Sequence, residues 1–300
     1  MPIKTLLAAT TALLIGAIAP AHAQSGTLQK IKDSGVIAVG HRETLTPFSY
    51  YAEGQNVVGY SADLCTAVID AVKANTKLAN LEVKLVPVTS ATRIPLLANG
   101  SIDLECGATT NNMDRQKQVA FSVTHFITSN RFASKTVSNV KVLDDLKDKT
   151  VVSVSGTTNI KQITDLNRQK NLGINIIAVK DHAEAFLMVE TDRAVAFVMD
   201  DVILASLIAS SRTPTAFAIS DEALSVEPYA FMMRKDDAPF KALVDDALSK
   251  YFVSPEYQTT YEKWFMKPIP PRGNALNMPI SAALKKVLSA PTDSADPASY

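Results

Sequence analysis

The chain has 300 residues but only two cysteines, one tryptophan and no surplus of either charge, with 30 Lys and Arg against 30 Asp and Glu. Two cysteines cannot build a disulfide-dense scaffold, and no C-x-x-C or Cys/His cluster marks a metal or redox centre. The balanced charge excludes the basic footprint of a nucleic-acid binder. No G-x-S-x-G is present, so a hydrolase elbow is unsupported. H-E-x-x-H and G-x-G-x-x-G are also missing, and the turn Ser155-Gly156-Thr157-Thr158 lacks the lysine of a phosphate loop. Beyond the amino terminus no stretch reaches the ~18 uninterrupted apolar residues of a membrane span. What is present is 47% hydrophobic and 20% charged, a composition that excludes disorder. At roughly 100–200 residues per domain, the length suits one large domain or two smaller ones.

Residues 1–23 read as a secretory signal. Lys4 gives the positive start, residues 5–18 are apolar and uncharged, and Pro20 interrupts the run. Ala21-His22-Ala23 fits the small-x-small cleavage pattern and places the mature start near Gln24. Loss of Lys4 leaves 29 basic against 30 acidic side chains, a net charge of −1. Export permits disulfides. The sequence leaves Cys65 and Cys106 open between a bridge and two buried thiols, because it does not show whether their Cα atoms approach within ~7 Å.

The mature chain alternates strand-like and helix-like segments. Strands are expected at 36–40, 81–88 and 102–106, with helices at 63–72 and 92–97. A second set follows, with strands at 150–155, 174–179 and 194–199 and helices at 160–168 and 182–190. The apolar spacing of Leu64, Val68 and Val72 marks one helix face, and the alternation of Leu81, Val83 and Leu85 marks a strand. Such alternation implies βαβ units around parallel sheets. The two sets predict two α/β lobes of similar plan. Segments 128–149 and 229–234 are the expected crossings between them. Helices at 245–252 and 255–265 return to the first lobe, with Trp264 as core packing. The lobes are therefore expected at 24–130 with 231–300, and at 131–230. The last ten residues, polar and proline-containing, are expected to be disordered.

An open parallel sheet binds ligands beyond the carboxyl ends of its strands. Arg42, Ser90, Arg93, Ala108, Thr110, Arg115, Thr158, His182 and Asp200 all fall there. Singly, each has a bland explanation as a surface residue or a helix cap. Jointly they combine three arginines, a histidine, hydroxyls, backbone N–H groups after glycine and one carboxylate. Arginine forks suit carboxylates, helix amino termini favour anions, and an aspartate suits an ammonium. A ligand with two carboxylates and one ammonium would satisfy the whole set, which points to an acidic amino acid.

These residues stand in a context that resembles the periplasmic solute-binding proteins of amino-acid ABC importers, especially the glutamate/aspartate-binding branch. The resemblance covers about residues 28–271. It rests on Gly59-Tyr60-Ser61-Ala62-Asp63-Leu64, on Thr89-Ser90 with Arg93-Ile94-Pro95-Leu96-Leu97, and on Glu105-Cys106-Gly107 leading into Thr109-Thr110-Asn111-Asn112. Further along the chain it rests on Arg115-Gln116-Lys117, Ser155-Gly156-Thr157-Thr158, Lys180-Asp181-His182, Arg193 to Phe197 with Met199-Asp200-Asp201, and Lys263-Trp264-Phe265. It implies a two-lobed periplasmic-binding-protein fold, each lobe a mainly parallel sheet flanked by helices, with two crossing strands as hinge. By resemblance, Arg115 clamps the α-carboxylate with Thr158. Asp200 takes the ammonium beside Thr110 and the Ala108 carbonyl. Arg42, Ser90, Arg93 and His182 take the side-chain carboxylate. The chain departs from the family at Tyr60-Ser61, where Phe and an acid are usual, and at Ala108, where serine is common. The implied function is a high-affinity, non-enzymatic periplasmic receptor that delivers L-glutamate and L-aspartate to a membrane permease. No cofactor, metal or nucleic acid is implied, and the chain is expected to be a monomer. The alternative is a dehydratase of arogenate or prephenate on the same scaffold, with Glu43 beside Arg42 as its nearest spare carboxylate.

Overall fold

The computed structural model describes residues 26–300, so the expected leader and its cleavage site lie outside the described residues. The first lobe opens with α1 (Thr27–Ser34), β1 (Val36–His41) and a small antiparallel sheet of β2 (Thr44–Leu45), β3 (Ser49–Tyr51) and β4 (Val57–Val58). It continues with α2 (Tyr60–Thr76), β5 (Glu82–Pro87), α3 (Arg93–Ala98), β6 (Leu104–Thr110), α4 (Met113–Gln116) and β7 (Val119–Phe121). Strand β8 (Phe126–Lys135) crosses to the second lobe. There β9 (Thr150–Val154), α5 (Thr158–Lys170), β10 (Asn175–Val179), α6 (His182–Glu190), β11 (Ala196–Asp200), α7 (Asp201–Ser210) and β12 (Phe217–Ile219) follow. Strand β13 (Ser225–Arg234) returns, and α8 (Ala238–Phe252), α9 (Pro255–Tyr261) and α10 (Ala282–Ser289) complete the molecule.

The main sheet runs β10-β9-β11-β8-β13-β6-β1-β5, with β12 added to β8 and β7 to β13. Within each lobe three strands pair in parallel: β10-β9-β11 in the second and β6-β1-β5 in the first. The crossing strands β8 and β13 are antiparallel to their neighbours and to each other, from Ser225 opposite Asn130 to Tyr229 opposite Phe126. The two lobes thus share one hydrogen-bonded sheet, and the parallel strands of both aim their carboxyl ends at the cleft.

Helix α2 shows how sequence sets this packing. Leu64, Cys65, Val68 and Val72 are buried at helical spacing, as expected. The helix begins three residues earlier than periodicity alone suggests, because Tyr60 is also buried and its hydroxyl donates to the His125 carbonyl at 2.7 Å. Gly59 precedes it at φ +138°, and a Cβ there would sit 2.1 Å from the Phe48 carbonyl oxygen, so the turn requires glycine. Trp264 is buried as expected, with its indole N–H on Asp63 at 2.7 Å. An aromatic cluster roots the hinge in the first lobe: Phe48 meets Phe126 of β8 at 5.1 Å and Tyr229 of β13 at 5.3 Å, both edge to face.

Three expectations need correction. The first crossing is the strand of β8 alone, followed by short 3₁₀ turns at Thr136–Ser138 and Leu143–Leu146. The return strand starts at Ser225, four residues early, because Glu227 and Pro228 interrupt its apolar pattern without breaking its pairing to β8. The last ten residues are ordered, since their polar groups find partners. The Thr124 amide donates to the Thr292 carbonyl at 2.8 Å, Lys241 pairs with Asp293 at 2.8 Å, and the Tyr300 hydroxyl meets Thr124 Oγ1 at 2.9 Å.

The open question of the cysteines resolves as a bridge: Cys65 on α2 and Cys106 on β6 are joined, with Cα atoms 5.9 Å apart. The bridge closes a loop of 41 positions, for which the chain-entropy model gives about 4 kcal/mol of stabilisation. Urea denaturation with and without a reductant is expected to show a lower midpoint in the reduced protein. Coincident curves would show that the bridge contributes nothing. Among the described residues no helix is long and apolar enough to cross a membrane.

Candidate functional site

Every residue singled out from the sequence sits at the carboxyl end of a parallel strand or just beyond it. Arg42 follows β1, and its backbone amide donates to Ser49 Oγ at 3.0 Å. Ser90 and Arg93 follow β5, with Arg93 opening α3. Ala108 and Thr110 end β6, and Arg115 sits on α4, whose amino-terminal cap Asn112 accepts from the Arg115 amide at 2.9 Å. Thr158 and His182 are the first residues of α5 and α6, capped by Thr157 and Asp181. Asp200 ends β11.

Eight of the nine line one polar cavity between the lobes: Arg42, Ser90, Arg93, Ala108, Thr110, Thr158, His182 and Asp200. Arg115 does not line it. Its guanidinium lies at the cavity edge and spans the lobes, donating to the Thr110 carbonyl at 2.8 Å and to the Gly156 carbonyl at 3.1 Å. The lobes meet closely here. Gly156 has φ +79°, and a Cβ on it would lie 2.6 Å from Ala91 Cα and 2.7 Å from the Ser90 carbonyl oxygen. Across the cleft Thr110 and Thr158 hydroxyls are 3.4 Å apart. The Ala108 carbonyl, placed by resemblance beside the ammonium, accepts from Arg93 Nη1 at 3.3 Å.

The electrostatics are lopsided. Arg42, Arg93 and Arg115 are all buried. Among the described residues none of them has a carboxylate within ion-pair distance. Burial, then repulsion from Arg93, pulls Arg42 down to about 10 and Arg115 down to about 9. Burial also lowers Arg93. Burial, helped by Arg42 and Arg93, holds His182 well below the usual histidine range, so its ring is neutral at pH 7. Asp200 moves the other way. Burial and the neighbouring Glu227 raise it to about 7, against the opposing hydrogen bonds from Tyr229 and Asn159. Asn159 Nδ2 donates to Asp200 Oδ1 at 2.7 Å, and the Tyr229 hydroxyl donates to Oδ2.

Several buried polar atoms of this cavity have no protein partner: Ser90 Oγ, Arg93 Nε, both ring nitrogens of His182, and Asn159 Oδ1. Buried polar groups are normally satisfied, and an unmet one costs ~1–3 kcal/mol. Buried cations without counter-anions, beside unmet donors, suit a small anionic guest that brings its own acceptors.

Four residues were not singled out beforehand. Tyr229 lies within the expected return strand, where its apolar ring hid a hydroxyl aimed at Asp200. Asn159 is the second residue of α5 and reads as ordinary helix start. Glu227 accepts from Thr158 Oγ1 at 2.9 Å from a position before the expected strand. Glu105 was legible as an anomaly, a carboxylate between the apolar Leu104 and Cys106 of a strand.

Two α/β lobes joined by two crossing strands over a polar cleft define a solute-binding protein. Residues 37–267 match the bacterial extracellular solute-binding proteins, family 3, and the chain belongs to that family. It is 46% identical to an L-glutamate/L-aspartate-binding protein of Pseudomonas aeruginosa, with 97% of this chain and 96% of that protein aligned. It is 44% identical to a glutamate/aspartate import solute-binding protein of Escherichia coli, with 98% of each aligned. A solved ancestral arginine-binding protein bound to arginine superposes with a TM-score of 0.70 at 27% identity, covering 77% of this chain and 98% of that one.

Proposed function

We propose that the protein is a periplasmic receptor that binds L-glutamate and L-aspartate between its lobes and delivers them to the membrane permease of an ABC importer. On this reading the chain crosses the inner membrane, is cleaved near Ala23 and works as a monomer. The lobes divide within the crossing strands, as 24–130 with 231–300, and 131–230. The observation that carries the ligand assignment is that two buried arginines, Arg42 and Arg93, line the cavity with its single carboxylate Asp200, while a third buried arginine, Arg115, bridges Thr110 and Gly156 at the seam. A dicarboxylate bearing one ammonium complements that set in sign, its two carboxylates meeting the arginines and its ammonium meeting Asp200. Arg42, Ser90, Arg93 and His182 hold the side-chain carboxylate. Arg115 and Thr158 hold the α-carboxylate at the seam, where ligand and lobe closure reinforce one another. Asp200, oriented by Tyr229 and Asn159, takes the ammonium. The relatives named for glutamate and aspartate support this choice over the arginine of the ancestral neighbour.

The dehydratase reading is less favoured. Glu43, its candidate acid, is exposed and lines a different groove, with Arg272 and Ser210 rather than Arg93.

A thermal-shift screen of the purified protein against the twenty amino acids, small dicarboxylates, arogenate and prephenate tests the proposal. Glutamate and aspartate are expected to give the largest stabilisation, about 4 kcal/mol at a thousandfold excess over Kd. A larger shift with arginine or a neutral amino acid would overturn it, and conversion of arogenate or prephenate would restore the enzyme.

A further inference from the structure

Glu105 is fully buried in β6 and, among the described residues, has no ion-pair partner. Its Oε2 accepts from the Thr109 hydroxyl at 2.8 Å, and Thr109 Oγ1 accepts from Arg93 Nη1 at 2.5 Å. A hydroxyl carries one proton. Because Glu105 takes it, Thr109 can present only lone pairs to Arg93. From this chain of bonds we infer that Glu105 and Thr109 are positioning residues that fix the plane of the Arg93 guanidinium and thereby set the selection of a carboxylate in the ligand. The inference rests on the assignment of Arg93 to the ligand's side-chain carboxylate.

Three features of the chain support it. Glu105, Gly107 and Thr109 alternate along β6 and so share one face. The glycine between the other two is required for the reach. A Cβ on Gly107 would lie 2.2 Å from Glu105 Oε1, so any larger residue would push the carboxylate off its line to Thr109. The guanidinium is planar, so tethering Nη1 to Thr109 and the Ala108 carbonyl fixes its remaining donors as well. Nε is one of them, and it is buried without a protein partner. Finally, Glu105 is foremost among the acidic groups, Asp181 and Asp200 included, that offset the burial of Arg42 and Arg93.

The test compares Thr109→Val, which keeps shape and removes the hydroxyl, with Thr109→Ser, which keeps the hydroxyl, and with Glu105→Gln. Calorimetric titration with L-glutamate is run on each, together with the melting temperature of the unliganded protein. Thr109→Val and Glu105→Gln are expected to weaken glutamate by about ten- to a hundredfold, the loss of a charge-assisted hydrogen bond. Thr109→Ser is expected to stay within about threefold of the parent, as a preserved bond requires. Parent-like affinity in Thr109→Val overturns the relay, and so does a Thr109→Ser variant as weak as Thr109→Val. If Glu105→Gln does not fold, the Val/Ser pair decides. If the parent protein prefers another amino acid to glutamate, the receptor reading fails on its own, and the same Val/Ser ratio read with that ligand still decides the relay.

Discussion

Arg93→Ala is expected to weaken glutamate and aspartate by roughly thirty- to several-thousandfold, the equivalent of the ~2–5 kcal/mol that follows truncation of one partner in a buried charge pair. The physical case rests on where Arg93 is. It is buried, and among the described residues it has no ion pair and its Nε has no partner, so its desolvation is offset only in part by Thr109, Ala108 and the charge of Glu105. A bound carboxylate completes the set. The unliganded variant should be no less stable than the parent, because removing Arg93 also removes its repulsion of Arg42 and Arg115. Loss of affinity with an undiminished melting temperature separates a ligand role from a folding role. Glutamine should lose much less, since its amide gains little from a cation. Equal losses for glutamate and glutamine in calorimetry would remove Arg93 from the side-chain site.

Asp200→Asn is expected to weaken every amino acid that binds, whatever its side chain, again by an amount typical of a broken buried charge pair, about 2–5 kcal/mol. It should also remove a pH dependence. In the unliganded protein burial and Glu227 raise Asp200 to about 7. An ammonium guest needs the ionised carboxylate, so below that value binding must first expel a proton. Affinity therefore rises from acid toward pH 8 and falls on acidification. Between pH 8 and pH 5.5 the parent should lose roughly thirtyfold, by proton linkage at a single group. Burial and its two arginine neighbours hold His182 well below the usual histidine range, on the acid side of Asp200. Titrations at several pH values check this. A flat profile in the parent, or a retained slope in Asp200→Asn, would take the ammonium away from Asp200.

The elements that carry these residues were readable because each obeys a local rule. The alternation in β5 and the buried face of α2 follow from period two and period 3.6. The candidate site followed from a topological rule, that parallel strands end at the ligand, and eight of the residues it picked from six separate segments line one cavity. What escaped was set by tertiary partners. Nothing local distinguishes Tyr229 as the partner of Asp200 from Tyr229 as a core aromatic, and it is both. Arg115 was read as a clamp on the α-carboxylate from the resemblance, and nothing local announced that the four-residue helix carrying it would place its guanidinium across the lobe seam, on the Thr110 and Gly156 carbonyls. The tail looked disordered because polar composition does not reveal whether a neighbouring surface supplies partners, and here Thr124, Asn111 and Lys241 do.

The sheet order also bears on how the chain must be made. Its central strand, β13, is its last strand in sequence, inserted between β8 and β6. Until residue 225 has been synthesised, no strand links β10-β9-β11-β8 to β6-β1-β5, and the stretch of β8 from Phe126 to Asn130 and the facing border of β6 are unpaired. Bare edges invite pairing with other chains. A nascent or truncated chain that stops short of β13 is thus two half-sheets with adhesive borders, and assembly of the whole receptor waits on its final quarter.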